Sequence, residues 1–134
     1  GIGRQNECSE NEIHGIYVEG WAQPILDKNT CASNKDAGIA YLKNAAGIAR
    51  QNKCSKNKIG TYIAMQAQPI LEANTCTGNI DSGIVYLDDA TGIAHGNECY
   101  ENPIGIYVAG TANPELRDND CHDNTDADIL DERE

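Results

Sequence analysis

The chain has 134 residues, with 10 Lys and Arg against 21 Asp and Glu, and a formal net charge of −11. An acid surplus of this size argues against nucleic acid or an anionic membrane surface as the main partner, because both are bound through basic patches. Phe is absent and Trp21 stands alone, so the core has to be aliphatic with some tyrosine, and no apolar run reaches the roughly 20 residues of a membrane span.

In chain order, the same phrase recurs from end to end. Each copy opens on Gly or Pro: Gly1, Pro24, Gly47, Pro69, Gly92 and Pro114. Seven residues later comes a cysteine, at Cys8, Cys31, Cys54, Cys76, Cys99 and Cys121, so successive cysteines are 23, 23, 22, 23 and 22 residues apart. Two residues before each lies an asparagine (Asn6, Asn29, Asn52, Asn74, Asn97, Asn119), and three after lies another (Asn11, Asn34, Asn57, Asn79, Asn102, Asn124). A glycine-led run follows in five copies: Gly15-Ile-Tyr-Val, Gly38-Ile-Ala-Tyr, Gly60-Thr-Tyr-Ile, Gly83-Ile-Val-Tyr and Gly105-Ile-Tyr-Val. Short alternating runs bounded by Gly, Asn and Pro read as strands joined by turns, and no stretch holds a helical period. A fixed period of this size marks stacked copies of one supersecondary unit. The expectation is an all-β, right-handed parallel β-helix of about six coils, 22–23 residues each, forming a single domain over 1–134.

In such a stack, residues at one repeat position form a ladder about 4.8 Å apart. Cysteine is a small hydrophobe suited to an interior row. The even period favours buried free thiols over its alternatives, disulfides between neighbouring coils and metal binding. The redox compartment is therefore not readable from the count. The Asn rows are expected as turn ladders, since Asn tolerates left-handed backbone and its amide can bond the next Asn along the stack.

A second period overlies the first. Gly and Pro alternate at the head of each copy, which makes the unit a doublet of about 45 residues. Core volumes alternate with it: Val18 precedes Leu26 by eight residues, Tyr41 precedes Ala49, Ile63 precedes Leu71, Tyr86 precedes Ala94, and Val108 precedes Leu116. Close packing at constant cross-section demands such compensation, so Tyr41 and Tyr86 should point inward.

The phrase "Pro/Gly-Ile-x-x-x-Asn-x-Cys-x-x-Asn … Gly-Ile-x-Val" resembles the right-handed parallel β-helix repeat family, the superfamily of pectate-lyase-like enzymes and sugar-binding β-helix domains. The resemblance covers nearly the whole chain and is specific for fold rather than function. It implies that the Asn rows are structural ladders, and it favours an extracellular or cell-surface location. It admits polysaccharide lyases or hydrolases as a third reading, but these use clustered acids or bases on an exposed groove. The outward row of the glycine-led strand here has no carboxylate, and its neighbour only Glu19. Some relatives are described as periplasmic copper-binding proteins, yet Met65 is the single methionine and no His-Met cluster exists. The expectation is no catalytic residue, no cofactor and no metal. The group His122, Asp123, Asp126 and Asp128 has the chemistry of a hard-cation site, but a solvated acidic end accounts for it more simply.

If Tyr41 and Tyr86 point inward, alternation turns Tyr17, Ala40, Tyr62, Val85 and Tyr107 outward, with Leu42 and Leu87 in the next outward row. An apolar face on so polar a chain suggests a partner. Tyr17, Leu42, Tyr62, Leu87 and Tyr107 are therefore the candidate binding residues. The reading favoured is a non-catalytic structural or protein-interaction module that contacts another protein or itself. The alternative is a carbohydrate-binding module, its tyrosines about 9.6 Å apart, two strand spacings. Residues 122–134 read as a decaying acidic end, with Asp128 in place of the usual Gly. The chain begins at Gly1 in full register and without Met, which reads as a mature or excised piece of a longer chain whose open edge invites stacking on another subunit.

Overall fold

The computed structural model describes all residues, 1–134, and is a parallel β-solenoid of six coils. Each coil contributes one strand to each of three six-stranded parallel sheets. Sheet A stacks β1 (Ile2–Arg4), β4 (Ile25–Asp27), β7 (Ile48–Arg50), β10 (Ile70–Glu72), β13 (Ile93–His95) and β16 (Glu115–Arg117). Sheet B stacks β2 (Glu7–Ser9), β5 (Thr30–Ala32), β8 (Lys53–Ser55), β11 (Thr75–Thr77), β14 (Glu98–Tyr100) and β17 (Asp120–His122). Sheet C stacks β3 (Ile16–Glu19), β6 (Ala37–Leu42), β9 (Ile59–Ile63), β12 (Ser82–Tyr86), β15 (Ile104–Gly110) and β18 (Ala127–Arg133). The sequence period and the structural register coincide, because every cysteine is paired in register with the next: Cys8 with Cys31, Cys31 with Cys54, and so on to Cys121.

Both asparagine rows are hydrogen-bonded ladders. Asn52 shows the full pattern: its side-chain amide donates to Asn74 Oδ1 at 3.0 Å and to the Leu26 carbonyl at 2.9 Å, while its Oδ1 accepts from the Asn29 backbone N–H and side-chain amide. The second row repeats this, with the cysteine carbonyl of the preceding coil as acceptor, as in Asn57 to Cys31 at 3.0 Å. Each amide is thus satisfied along the stack, which permits its burial.

The left-handed backbone sits elsewhere than expected. The ladder asparagines have ordinary φ; the residue before each carries the positive φ, including Gln5, Lys28, Gln51, Ala73 and Asp118 in one row and Glu10, Ser33, Lys56 and Glu101 in the other. The turn residue keeps its amide in the stack, as Gln5 N–H donates to Asp27 O at 2.9 Å and Lys28 N–H to Arg50 O at 3.1 Å. Of 85 backbone hydrogen bonds, 43 lie outside the strands, so the corners stack as continuously as the sheets.

The interior holds one apolar cluster: the cysteine row, the Leu/Ala row of sheet A, and Ile16, Ile39, Ile84 and Ile106 with the Val/Tyr/Ile row of sheet C. Tyr41 and Tyr86 are fully buried, with Ala49 and Ala94 buried in the same coils, and Leu26 and Leu71 fill the coils whose sheet C residue is Val18 or Ile63. The compensating volumes are therefore a packing fact.

Sheet C starts on a glycine row because the coils approach too closely there for a side chain. A Cβ on Gly15 would lie 2.7 Å from the Gly38 carbonyl oxygen, and one on Gly83 would lie 2.6 Å from that of Gly105. Asp128 continues this row in the last coil, and its carboxylate accepts from the Asn124 amide at 3.0 Å. The acidic segment after Cys121 keeps the fold: β18 pairs with β15 from Ala127 to Arg133.

Candidate functional site

Alternation along sheet C decides which side chains face out. Tyr17, Ala40, Tyr62, Val85, Tyr107 and Leu130 stand in one register row, and Glu19, Leu42, Leu87, Ala109 and Glu132 lie in the next outward positions. The five candidate binding residues, Tyr17, Leu42, Tyr62, Leu87 and Tyr107, therefore share one face. Between the tyrosines, Ala40 and Val85 are only 0% and 4% exposed although they point outward. The small side chains lie beneath their larger neighbours, so the face is a closed apolar strip with the tyrosines on top.

The strip widens into a shallow groove of about 560 Å³ over its later coils. Tyr62, Val85, Leu87 and Tyr107 form its floor, and Ile59, Ile80, Pro103 and Ile104 its wall. Asp81 and Asp126 stand at that wall, and Asp88 and Asp36 lie close enough to act on Tyr62. Partial burial, with these two carboxylates, pushes the Tyr62 hydroxyl up from its usual value. The neighbouring Glu132 carboxylate has the same effect on Tyr107.

At the other end of the strip Tyr17 is held in place from two sides. Its hydroxyl donates to Glu19 at 2.8 Å, Lys43 pairs with the same carboxylate at 3.2 Å, and the His14 ring stacks on it at 5.5 Å. Ile13, His14 and Leu42 surround it in a smaller recess.

A second apolar row escaped the sequence reading. The residue after each leading Gly or Pro is Ile in the first five coils, and register places Ile2, Ile25, Ile48, Ile70 and Ile93 in one outward line on sheet A, ending at Glu115. Ile25, Ile48 and Ile70 line a recess of about 440 Å³ with Gln23 and Gln68. The signal was present, since an invariant Ile directly before the inward Leu/Ala position has to face out. Beside it runs a charged row in which Asp27 is held between Arg4 at 3.2 Å and Arg50 at 3.3 Å.

The C-terminal acids are grouped differently from the expectation. Register on sheet B brings His122 to Glu98 rather than to Asp126 and Asp128: its Nε2 lies 3.0 Å from Glu98, its Nδ1 lies 2.9 Å from Asp123, and its ring stacks on Tyr100 at 5.2 Å. Hydrogen bonds to Glu98 and then to Asp123 push the imidazole up to about 9. Ligand-type atoms of Glu98, Asp120 and His122 fall within 4.8 Å of one another, and both ring nitrogens of His122 are already engaged by Glu98 and Asp123.

All six cysteines are free thiols; those at Cys31, Cys54, Cys76 and Cys99 are fully buried, and Cys8 and Cys121 partly so. No helix is long and apolar enough to cross a membrane. The family model described as the right-handed beta helix region matches residues 2–131. Neither the curated proteins nor the solved structures contain a match to the chain.

Proposed function

The chain belongs to the right-handed β-helix family, and on that frame we propose that it works as a non-catalytic protein-interaction module. Its sheet C groove takes a segment of a partner protein that carries both apolar and basic side chains. The observation that carries this reading is the groove itself: an apolar floor of Tyr62, Val85, Leu87 and Tyr107 beside a wall bearing Asp81 and Asp126. Tyrosines supply large contact area at little entropic cost, and buried aromatic anchors dominate binding energy at protein interfaces. The acids select the sign of the partner. They also disfavour a second copy of this chain at the same face, since two molecules of net charge −11 repel.

The carbohydrate reading is favoured by one feature, the recurrence of Tyr17, Tyr62 and Tyr107 on alternate coils.

A peptide display selection against the protein, run beside a glycan array, tests the proposal. Selected peptides should combine Lys or Arg with aromatic or aliphatic residues. Their binding should weaken as salt is raised and fall about tenfold or more in a Tyr62→Ala/Tyr107→Ala variant, the loss expected of removed aromatic anchors. Peptides without basic residues, or equal binding to the variant, would refute it. Glycan retention that depends on the same tyrosines would establish the carbohydrate reading instead.

A further inference from the structure

The isoleucine line of sheet A runs down the middle of a face made of three strips, and the two outer strips change character on alternate coils. One is the strip of coil heads. The second and fourth coils carry an amide and a proline there, Gln23-Pro24 and Gln68-Pro69, while the third carries Ala46-Gly47. Gln23 and Gln68 are exposed and stand on either side of a recess of about 440 Å³ lined by Ala46, Gly47 and Ile48. The notch is fixed, because a Cβ on Gly47 would run into the Pro24 carbonyl oxygen. The other strip is charged. Odd-numbered coils place the bases Arg4, Arg50 and His95 in it, and the second and fourth place the acids Asp27 and Glu72. Arg50 is turned to Asp27 at 3.3 Å, so Glu72, its other neighbour in register, keeps an exposed carboxylate on the face. Between the strips Ile2 and Ile70 are 62% and 38% exposed. The third coil thus reads notch, isoleucine, base; the second and fourth read knob, isoleucine, acid. The last coil departs from this, with Glu115 in the isoleucine line and Arg117 in the charged strip.

We propose that sheet A is the contact face of a two-fold dimer, in which a second copy of this chain packs antiparallel against it with odd coils opposite even coils. The dyad lies along the strand direction and passes between the second and third coils. Such an axis keeps each strip opposite the same strip and reverses the order of the coils, so the first meets the fourth and the second meets the third. Ile2 then faces Ile70 across the dyad and Ile25 faces Ile48, each contact made twice, as an isologous interface requires. Arg4 meets Glu72 and Arg50 meets Asp27, opposite charges in every place, while Gln23 enters the recess over Gly47. Face-to-face sheets with aligned strands pack about 10 Å apart, a gap that interdigitated isoleucines fill. Charge selects this register over its neighbours. A dyad through the second or third coil would set base on base and acid on acid, and one between the third and fourth would set Arg4 on Arg117 and Ile2 on Glu115. Over the four paired coils the strip is balanced, Arg4 and Arg50 against Asp27 and Glu72, and repulsion from acids elsewhere is screened beyond about 8 Å at physiological salt. An apolar centre with a polar rim is the anatomy of a specific interface. Four coils span about 19 Å of sheet, a contact at the small end of the specific range, so the dissociation constant is expected at roughly 1–100 μM.

Sedimentation velocity over about 1–500 μM protein reads the association, and native mass spectrometry its stoichiometry. The protein should pass from monomer to dimer with no larger species. Ile48→Asp sets a charge at the apolar centre and should leave a monomer, whereas Tyr62→Ala/Tyr107→Ala on sheet C should dimerise like the parent. Arg4→Glu and Glu72→Arg each reverse both copies of one contact, and each alone should weaken the dimer about tenfold. Mixed in equal amounts, the two should form a heterodimer of parent affinity, because the two reversed positions then face each other and the second contact is native. Both substitutions lie on the exposed rim, so the mixture tests the register even where Ile48→Asp fails to fold in a urea unfolding control. A parent protein that stays monomeric, growth beyond the dimer by end-to-end stacking, or a dimer lost in the sheet C variant would overturn the proposal. A mixture no tighter than its two components would overturn it as well.

Discussion

Replacing Asn57 by alanine removes a rung from the middle of the second asparagine ladder. Four hydrogen bonds go with the side chain: two donated to Cys31 O at 3.0 Å and Asn79 Oδ1 at 3.3 Å, and two accepted from the Asn34 backbone N–H and amide, both at 2.9 Å. At about 1 kcal/mol net for each bond, the loss is about 4 kcal/mol. Asn57 is 0% exposed, so water cannot replace the lost partners of Asn34 and Cys31. That is a large share of the roughly 5–15 kcal/mol that holds a domain of this size. Asn6→Ala is the control, because the exposed Asn6 side chain makes one bond, to Asn29 Oδ1 at 2.9 Å. It should cost about 1 kcal/mol or less. Urea unfolding measures both, with the slope unchanged if the transition stays two-state. Equal losses at the two positions, or a loss below about 2 kcal/mol for Asn57→Ala, would show that the ladder amides are not the stabilising contacts derived above.

Three further outcomes follow from the geometry. Gly60→Ala should destabilise by about 3 kcal/mol, because its Cβ would lie 2.5 Å from the Gly83 carbonyl oxygen and 3.0 Å from Cys76 Sγ; a thermal midpoint equal to that of the parent protein would contradict the close approach. Ala73→Gly should stabilise by about 1 kcal/mol, since Ala73 holds a φ of 54° that disfavours a side chain; the unfolding midpoint in urea reads it. His122, held by Glu98 and Asp123, has a folded pKa of about 9, above the usual imidazole value. Its pairing is fully present below about 6.5 and is lost as pH rises through about 9, so an NMR titration should place its midpoint near the upper figure, and Glu98→Gln should bring it down.

The period was legible because stacking turns sequence position into a place in space. Cys and Asn recur at fixed phase since only a small apolar residue fits the inner row of sheet B and only an amide can both donate and accept along the corner. Tyr41 and Tyr86 were legible through volume compensation. The left-handed turn residues were not: Gln5, Lys28, Gln51 and Ala73 share no chemistry, and their φ is imposed by the backbone ladder through the corner rather than by local preference. The isoleucine line on sheet A was hidden by its regularity, since an unbroken apolar row reads as core until the register shows that the inward place belongs to the Leu and Ala beside it.

The binding face and the core share one two-coil period. In coils one to five, each sheet C strand carries a single tyrosine, outward in Tyr17, Tyr62 and Tyr107, inward in Tyr41 and Tyr86, a one-residue shift that moves the ring across the sheet. Where the ring points in, its outward neighbour is Ala40 or Val85, small enough to lie under the tyrosines of adjacent coils. Where it points out, the inward neighbour is Val18, Ile63 or Val108, and a leucine in sheet A makes up the core volume. The spacing of the outward tyrosines is therefore dictated by packing inside the solenoid, so the stripe by itself carries little information about what binds. Asp81 and Asp126 stand on a different footing. They lie in corners that no interior constraint reaches, and charge there can change without disturbing a coil. Specificity on this face should accordingly follow the corner acids: Asp81→Lys/Asp126→Lys should redirect peptide selection toward acidic sequences while the unfolding free energy stays within about 0.5 kcal/mol of the parent, as expected for exposed positions. Selection that keeps its preference for basic peptides in that variant would place the recognition on the tyrosine strip alone.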